Sequence, residues 1–190
     1  MINKPNMKGF TLVETLVAVL LLSFAISGPL TIASKGLTAT LVAKDQFTGF
    51  YLAQDAMEYV RFLRDSSCLA SASGPSGCPD NVWLSSLSAC VSADGSTNCY
   101  VDSLGHFPDV PTVCSGVCPT LRYDTTNRYF NYSGALPLTP QKFIRTVSIQ
   151  NDPTGATPDE AMVTVTVSWT DRVGVTRVPV TVRESIFRWQ

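Results

Sequence analysis

From Thr15 to Ala33 the chain carries nineteen consecutive residues without a charge, most of them aliphatic. As a helix, at about 1.5 Å per residue, that run is long enough to cross the hydrocarbon core of a bilayer. Immediately before it stands one acid, Glu14, preceded by Lys8-Gly9-Phe10-Thr11-Leu12-Val13. A carboxylate costs roughly 2.5–3.5 kcal/mol at the centre of a membrane helix and less near its end. An acid kept in such a place calls for a partner. A cut between Gly9 and Phe10 would create one, because the new α-amino group of Phe10 would lie one helical turn from Glu14. The pair could form within one chain or between neighbouring copies.

The segment Lys8-Gly9-Phe10-Thr11-Leu12-Val13-Glu14, with the apolar run behind it, resembles the processing and methylation motif of type IV prepilins and type II secretion pseudopilins. The resemblance implies that a prepilin peptidase cuts after Gly9 and methylates the new N-terminal Phe10. It implies that Glu14 recruits and registers subunits in a filament, and that a pilus assembly platform and other pilin subunits are partners. The motif covers roughly the first third of the chain. Tyr51 to Arg61, Arg145-Thr146-Val147 and Val167-Ser168-Trp169 resemble, more loosely, minor pilins of the V type and I-type pseudopilins. Two plainer readings stand beside this one. Lys4 and Lys8 with Ala25-Ile26-Ser27 fit an ordinary secretory signal peptide, and the same run fits a simple signal anchor. Glu14 interrupts the first and has no purpose in the second.

Lys4 and Lys8 place the N-terminal side of the span in the cytoplasm, with Lys35 and Lys44 as a weaker counter-signal. All six cysteines, Cys68, Cys78, Cys90, Cys99, Cys114 and Cys118, then lie outside the cytoplasm, where an even count suggests disulfides. Six cysteines allow fifteen pairings. Cys90–Cys99, flanking the Asp94-Gly95 turn, is the first choice, followed by Cys68–Cys78 and Cys114–Cys118. Cys114-x3-Cys118 with another pair could instead hold zinc, but the spacings are irregular.

Read in order, residues 1–9 form a leader and 10–34 a transmembrane and assembly half-helix. Gly28-Pro29 interrupts that half-helix, and an interior proline costs about 3 kcal/mol. It is either a kink tolerated in the membrane or a weak point that extends when subunits pack. Helix breakers in related pilins favour the second. Residues 35–67 form an amphipathic half with a stripe of Phe50, Ala53, Met57, Val60 and Leu63, ending at Asp65-Ser66-Ser67. Residues 68–190 form a globular head. It opens with a loop-rich, Cys-bearing stretch, in which Asn81 to Leu87 reads as a short helix. Strands follow. Phe143 to Ile149 alternates, as do Val163, Val165, Val167 and Trp169, and again Val178, Val180 and Val182, with Pro179 marking an edge. A helix spine on a C-terminal antiparallel sheet is an α+β layer design, and it is the type IV pilin-like fold the N-terminus implies.

Catalytic chemistry is not evident. The one histidine, His106, sits in a loop-like Gly-His-Phe-Pro, and no nucleophile and base pair can be nominated. Asp80, Asp94 and Asp109 do not form a calcium pattern. Asn131-Tyr132-Ser133 fits a glycosylation sequon, a pattern with many false positives. A net charge of −1 gives no field for nucleic acid, so any nucleic-acid contact would be indirect. The expectation is a structural protein without cofactor or metal: a pilin-like, minor subunit of a type IV pilus or related filament. It would start in the cytoplasmic membrane and finish in an extracellular or cell-surface fibre. The alternatives are a secretion pseudopilin and a membrane-anchored adhesion or DNA-uptake module.

Overall fold

The computed structural model describes residues 9–71, 78–79, 82–104, 110–126, 128–132, 143–151, 159–171 and 174–188. The chain forms two compact units, Met1–Lys44 and Asp45–Gln190, and one helix, α1 (Leu12–Ser71), contributes to each. From Thr15 to Ala33 α1 carries no charge and is apolar on every side, and it continues through Gly28 and Pro29. Its hydroxyls turn inward on their own helix. Ser23, Thr31, Thr38 and Thr40 donate to the carbonyl four residues back, and Thr15, Ser27 and Ser34 to the carbonyl three back, at 2.8–3.1 Å.

In the second unit α1 buries Gly49, Leu52, Ala53, Ala56, Met57, Val60 and Leu63, the three- and four-residue spacing of one helical face. Phe50, expected in that stripe, is largely exposed. Gly49 takes the place nearest the sheet, because a side chain there would collide. A Cβ on Gly49 would lie 3.1 Å from Trp169 Cζ3 and 3.5 Å from Val180 Cγ2. The helix also outruns the expected stop at Asp65-Ser66-Ser67, reaching Ser71. Tertiary contacts carry it on: Ser67 Oγ donates to Leu63 O at 2.8 Å and meets Ser86 Oγ at 2.7 Å, and buried Cys68 is bonded to Cys78.

Among the described residues eight strands follow: β1 (Val91–Ser92), β2 (Cys99–Tyr100), β3 (Thr112–Val113), β4 (Arg122–Asp124), β5 (Tyr129–Asn131), β6 (Phe143–Asn151), β7 (Glu160–Trp169) and β8 (Val180–Phe187). A short 3-10 helix, Ser85–Cys90, stands where a helix from Asn81 was expected. The backbone of the sheet is the antiparallel run β6–β7–β8, with Val147 opposite Val165 and Val165 opposite Val182. The period-two pattern decides the facing. Phe143, Val147 and Ile149, with Ala161, Val163, Val165, Val167 and Trp169, are buried with the helix stripe in one core. Thr164, Thr166 and Ser168 fall on the other, partly exposed face. Pro179 directly precedes β8, the edge strand.

The other margin of β6 is covered piecemeal. A bridge joins Thr120 to Ile144, β2 pairs at Val147, and β1 runs parallel at Ile149 and Gln150. These pieces are too short to hold a register by pattern. Covalent ties hold them: Cys90–Cys99 links the 3-10 helix to β2, both cysteines fully buried, and Cys114–Cys118 closes the turn after β3. β4 and β5 make a separate hairpin, whose Phe130 stacks between Tyr123 and Phe143 at centroid distances of 5.0 and 5.7 Å. Gly74 to Gly77 and Asp152 to Gly155, both rich in turn-forming residues, lie outside the described residues. The α+β layout is the one the sequence pattern called for: a long helix with an apolar span, then an antiparallel sheet.

Candidate processing and assembly site

Gly9, Phe10 and Thr11 are non-helical, and α1 begins at Leu12. Thr11 is its N-cap. The Thr11 carbonyl accepts from the Thr15 N–H at 3.2 Å, and Thr11 Oγ1 accepts from the Glu14 N–H at a long 3.3 Å. Thr11-Leu12-Val13-Glu14 has the spacing of a capping box, threonine first and glutamate three residues on. This places Glu14 in the first turn, where the helix dipole favours a carboxylate. Glu14 therefore stands at the entrance of the apolar helix rather than within it. Sequence reasoning passed over Thr11, although the Thr-x-x-Glu pattern was there to be read.

Phe10 is 81 % exposed, and from Leu12 to Leu41 the large apolar side chains all face outward within their unit. Residues such as Leu20, Leu21 and Leu22 occupy successive 100° positions, so no face is polar. A helix of this kind needs lipid or other apolar helices around it. It is the one helix among the described residues long and apolar enough to cross a membrane.

The second unit holds a polar centre that the sequence did not disclose. Arg145 occupies a buried register position of β6 and is 1 % exposed. Its Nη1 donates to Leu52 O at 3.0 Å and to Asp55 Oδ2 at 2.5 Å, and its Nη2 donates to Val101 O at 2.7 Å. Ser103 Oγ donates to the same Asp55 oxygen at 2.7 Å. The guanidinium lies 5.8 Å from the Tyr132 ring centroid. Burial raises the Tyr132 phenol above its ordinary range, against an opposing pull from the Arg145 charge. One guanidinium thus ties α1, the turn after β2 and the sheet together. The only signal was a charged residue at a core-facing position of an alternating strand. Nearer the surface, Arg61 on α1 pairs with Glu184 of β8, whose hydrogen bond raises the Arg61 pKa.

Gly28 and Pro29 lie within α1, and the six cysteines form the pairs Cys68–Cys78, Cys90–Cys99 and Cys114–Cys118. Lys4, Lys8, His106, Asp80, Asp109 and Ser133 lie outside the described residues. Among the described residues, no group of three His, Cys, Asp or Glu is arranged to hold a metal.

Residues 4–28 match the family model described as the prokaryotic N-terminal methylation motif. No curated protein matches the chain, and no solved structure does. The matched segment spans Gly9, Phe10, the Thr11 cap, Glu14 and the start of the apolar helix. A motif of this family marks structural subunits, and with a single apolar N-terminal helix it fits membrane anchoring before assembly. Over this segment, 25 of the 190 residues, the chain is similar to type IV prepilin-like proteins.

Proposed function

We propose that the chain is a minor structural subunit of a type IV pilus or related filament. Residues 1–9 are the leader, removed by prepilin peptidase between Gly9 and Phe10, and the new Phe10 amine is methylated. The observation that carries the reading is the conjunction at one helix end. A methylation motif, a non-helical Gly9-Phe10 and a carboxylate in the first turn adjoin a span with no polar face. Residues 10–34 sit in the cytoplasmic membrane, leader side inward, until the subunit is drawn into the fibre by the assembly platform. There the apolar helix exchanges lipid for copies of itself or related pilins, and Glu14 meets a Phe10 amine. Gly28-Pro29 is the point at which the helix yields on packing. The head, with its Cys-rich irregular segment, supports a minor rather than a bulk subunit. It acts by position and contact and performs no catalysis.

Intact mass and N-terminal sequencing of protein from the membrane and sheared-fibre fractions test this. A chain beginning at N-methylated Phe10 and present in fibres is expected. A chain beginning at Gly28, or an uncut chain absent from fibres, would overturn it. Glu14→Ala is expected to be cut normally yet lost from fibres, and undiminished incorporation would remove the role of Glu14.

A further inference from the structure

A cleft of about 360 Å³ opens beside the Arg145 centre, within the Asp45–Gln190 unit. Its walls include Tyr51 and Asp55 from α1, Ser103 and Leu104 from the turn after β2, and Tyr129 and Phe130 from β5. Nothing in the filament reading uses it. Its volume is that of a small-molecule site, mostly apolar with a few placed polar groups.

The chemistry of the walls selects among ligand classes. Asp55 Oδ2 is taken by Arg145 and Ser103, which leaves Oδ1 of this half-exposed side chain to accept. An ionised carboxylate only accepts, so the ligand must bring donors. Anions are disfavoured, because Arg145 spends its Nη donors on Leu52, Asp55 and Val101 and is buried behind the carboxylate. Cations gain little, because the same guanidinium, 2.5 Å away, already balances the Asp55 charge. A wholly apolar ligand would cover a carboxylate oxygen and give it no donor. What remains is a neutral, hydroxyl-bearing ligand with an apolar face to lay against the aromatic wall to which Tyr51, Tyr129 and Phe130 contribute.

We propose that this cleft binds a neutral pyranose unit of a saccharide. Its C–H face packs on the aromatic rings, and its hydroxyls donate to Asp55 Oδ1. Ser103 Oγ, with its own proton committed to Asp55, offers a second acceptor. The fixed Arg145–Asp55 pair holds the acceptor in place before the ligand arrives.

The test is saturation-transfer NMR on the full chain in micelles of a non-glycosidic detergent. The probes are the methyl pyranosides of glucose, galactose, mannose and N-acetylglucosamine, with glucosamine and glucuronate as charged comparisons. At least one neutral glycoside is expected to bind in the millimolar range, ahead of both charged sugars. Tyr51→Ala removes an exposed ring and should weaken binding about fivefold. Phe62→Ala removes an exposed ring elsewhere on α1 and should leave binding unchanged. The proposal fails if no neutral glycoside shows transfer. It fails equally if a charged sugar is preferred, or if Phe62→Ala weakens binding as much as Tyr51→Ala. Cleavage, methylation and fibre incorporation are independent of every one of these results.

Discussion

Removing the Asp55 carboxylate should cost more than its exposure suggests. The side chain is 47 % exposed, and truncating an ordinary residue of that kind costs about 0.5 kcal/mol or less. What Asp55→Ala leaves behind, however, is the guanidinium of Arg145, 1 % exposed and without its counter-charge. Stranding a buried charge costs about 3–5 kcal/mol, and the low end applies because the cleft admits water to one side. Arg145→Met strands little charge, since water can reach Asp55, but it leaves the buried Val101 carbonyl without its donor, at about 2 kcal/mol. The two single losses sum to about 5 kcal/mol. The double variant strands no charge and should lose only about 2 kcal/mol, a coupling of about 3 kcal/mol. Denaturant unfolding followed by the fluorescence of Trp83 and Trp169, both buried in this unit, reads the quantity directly. If Asp55→Ala is within about 0.5 kcal/mol of the parent, or the double variant equals the sum, the clamp is not the electrostatic device described.

Gly49→Val should cost about 1–3 kcal/mol and alter the Trp169 emission, because even a Cβ approaches Cζ3 to 3.1 Å. Replacing Cys90 and Cys99 together by alanine should lower stability by about 2.5 kcal/mol, the loop entropy for a separation of nine residues, measured by the same unfolding curve. Absorbance titration near the phenolate band should find Tyr132 ionising above the range of a free tyrosine, and Tyr132→Phe should remove that step. Since its folded pKa lies above the unfolded value of about 10, its contribution is complete below that pH and is lost above it.

The elements that repeat one pattern over many residues were plain in the sequence. The apolar span of α1 and the alternation of β6 and β7 need only period and composition to be recognised. β1, β2 and β3 are two residues each, too short for any period; β1 and β2 exist because β6 offers them an edge, and β3 pairs with β2 in turn. The end of α1 was misplaced for a related reason: Ser66 and Ser67 are poor helix formers, but the disulfide at Cys68 and the Ser86 contact outweigh propensity. Arg145 stood in view at a core position, yet its partner lies ninety residues away, a distance no local pattern spans. At the N-terminus the reverse held. Gly9, Phe10 and Glu14 lie within six residues, so the motif could be read from spacing, whereas the capping role of Thr11 came only from the coordinates.

The core joins residues from α1 to residues of the final strands, with 72–142 intervening between Ser71 and Phe143. Synthesis at roughly 5–20 residues per second makes those intervening residues a delay of about 4–14 s. During that interval the face from Gly49 to Leu63 has left the ribosome without the sheet that covers it. On the proposed topology, a nascent chain tethered by its apolar span presents a second sticky surface on the far side of the membrane. The three disulfides join cysteines four to ten residues apart, all within Cys68 to Cys118, so each can close before β6 emerges. Oxidation can thus precede docking, and the platform that later receives β6 is covalently set while the helix is still waiting.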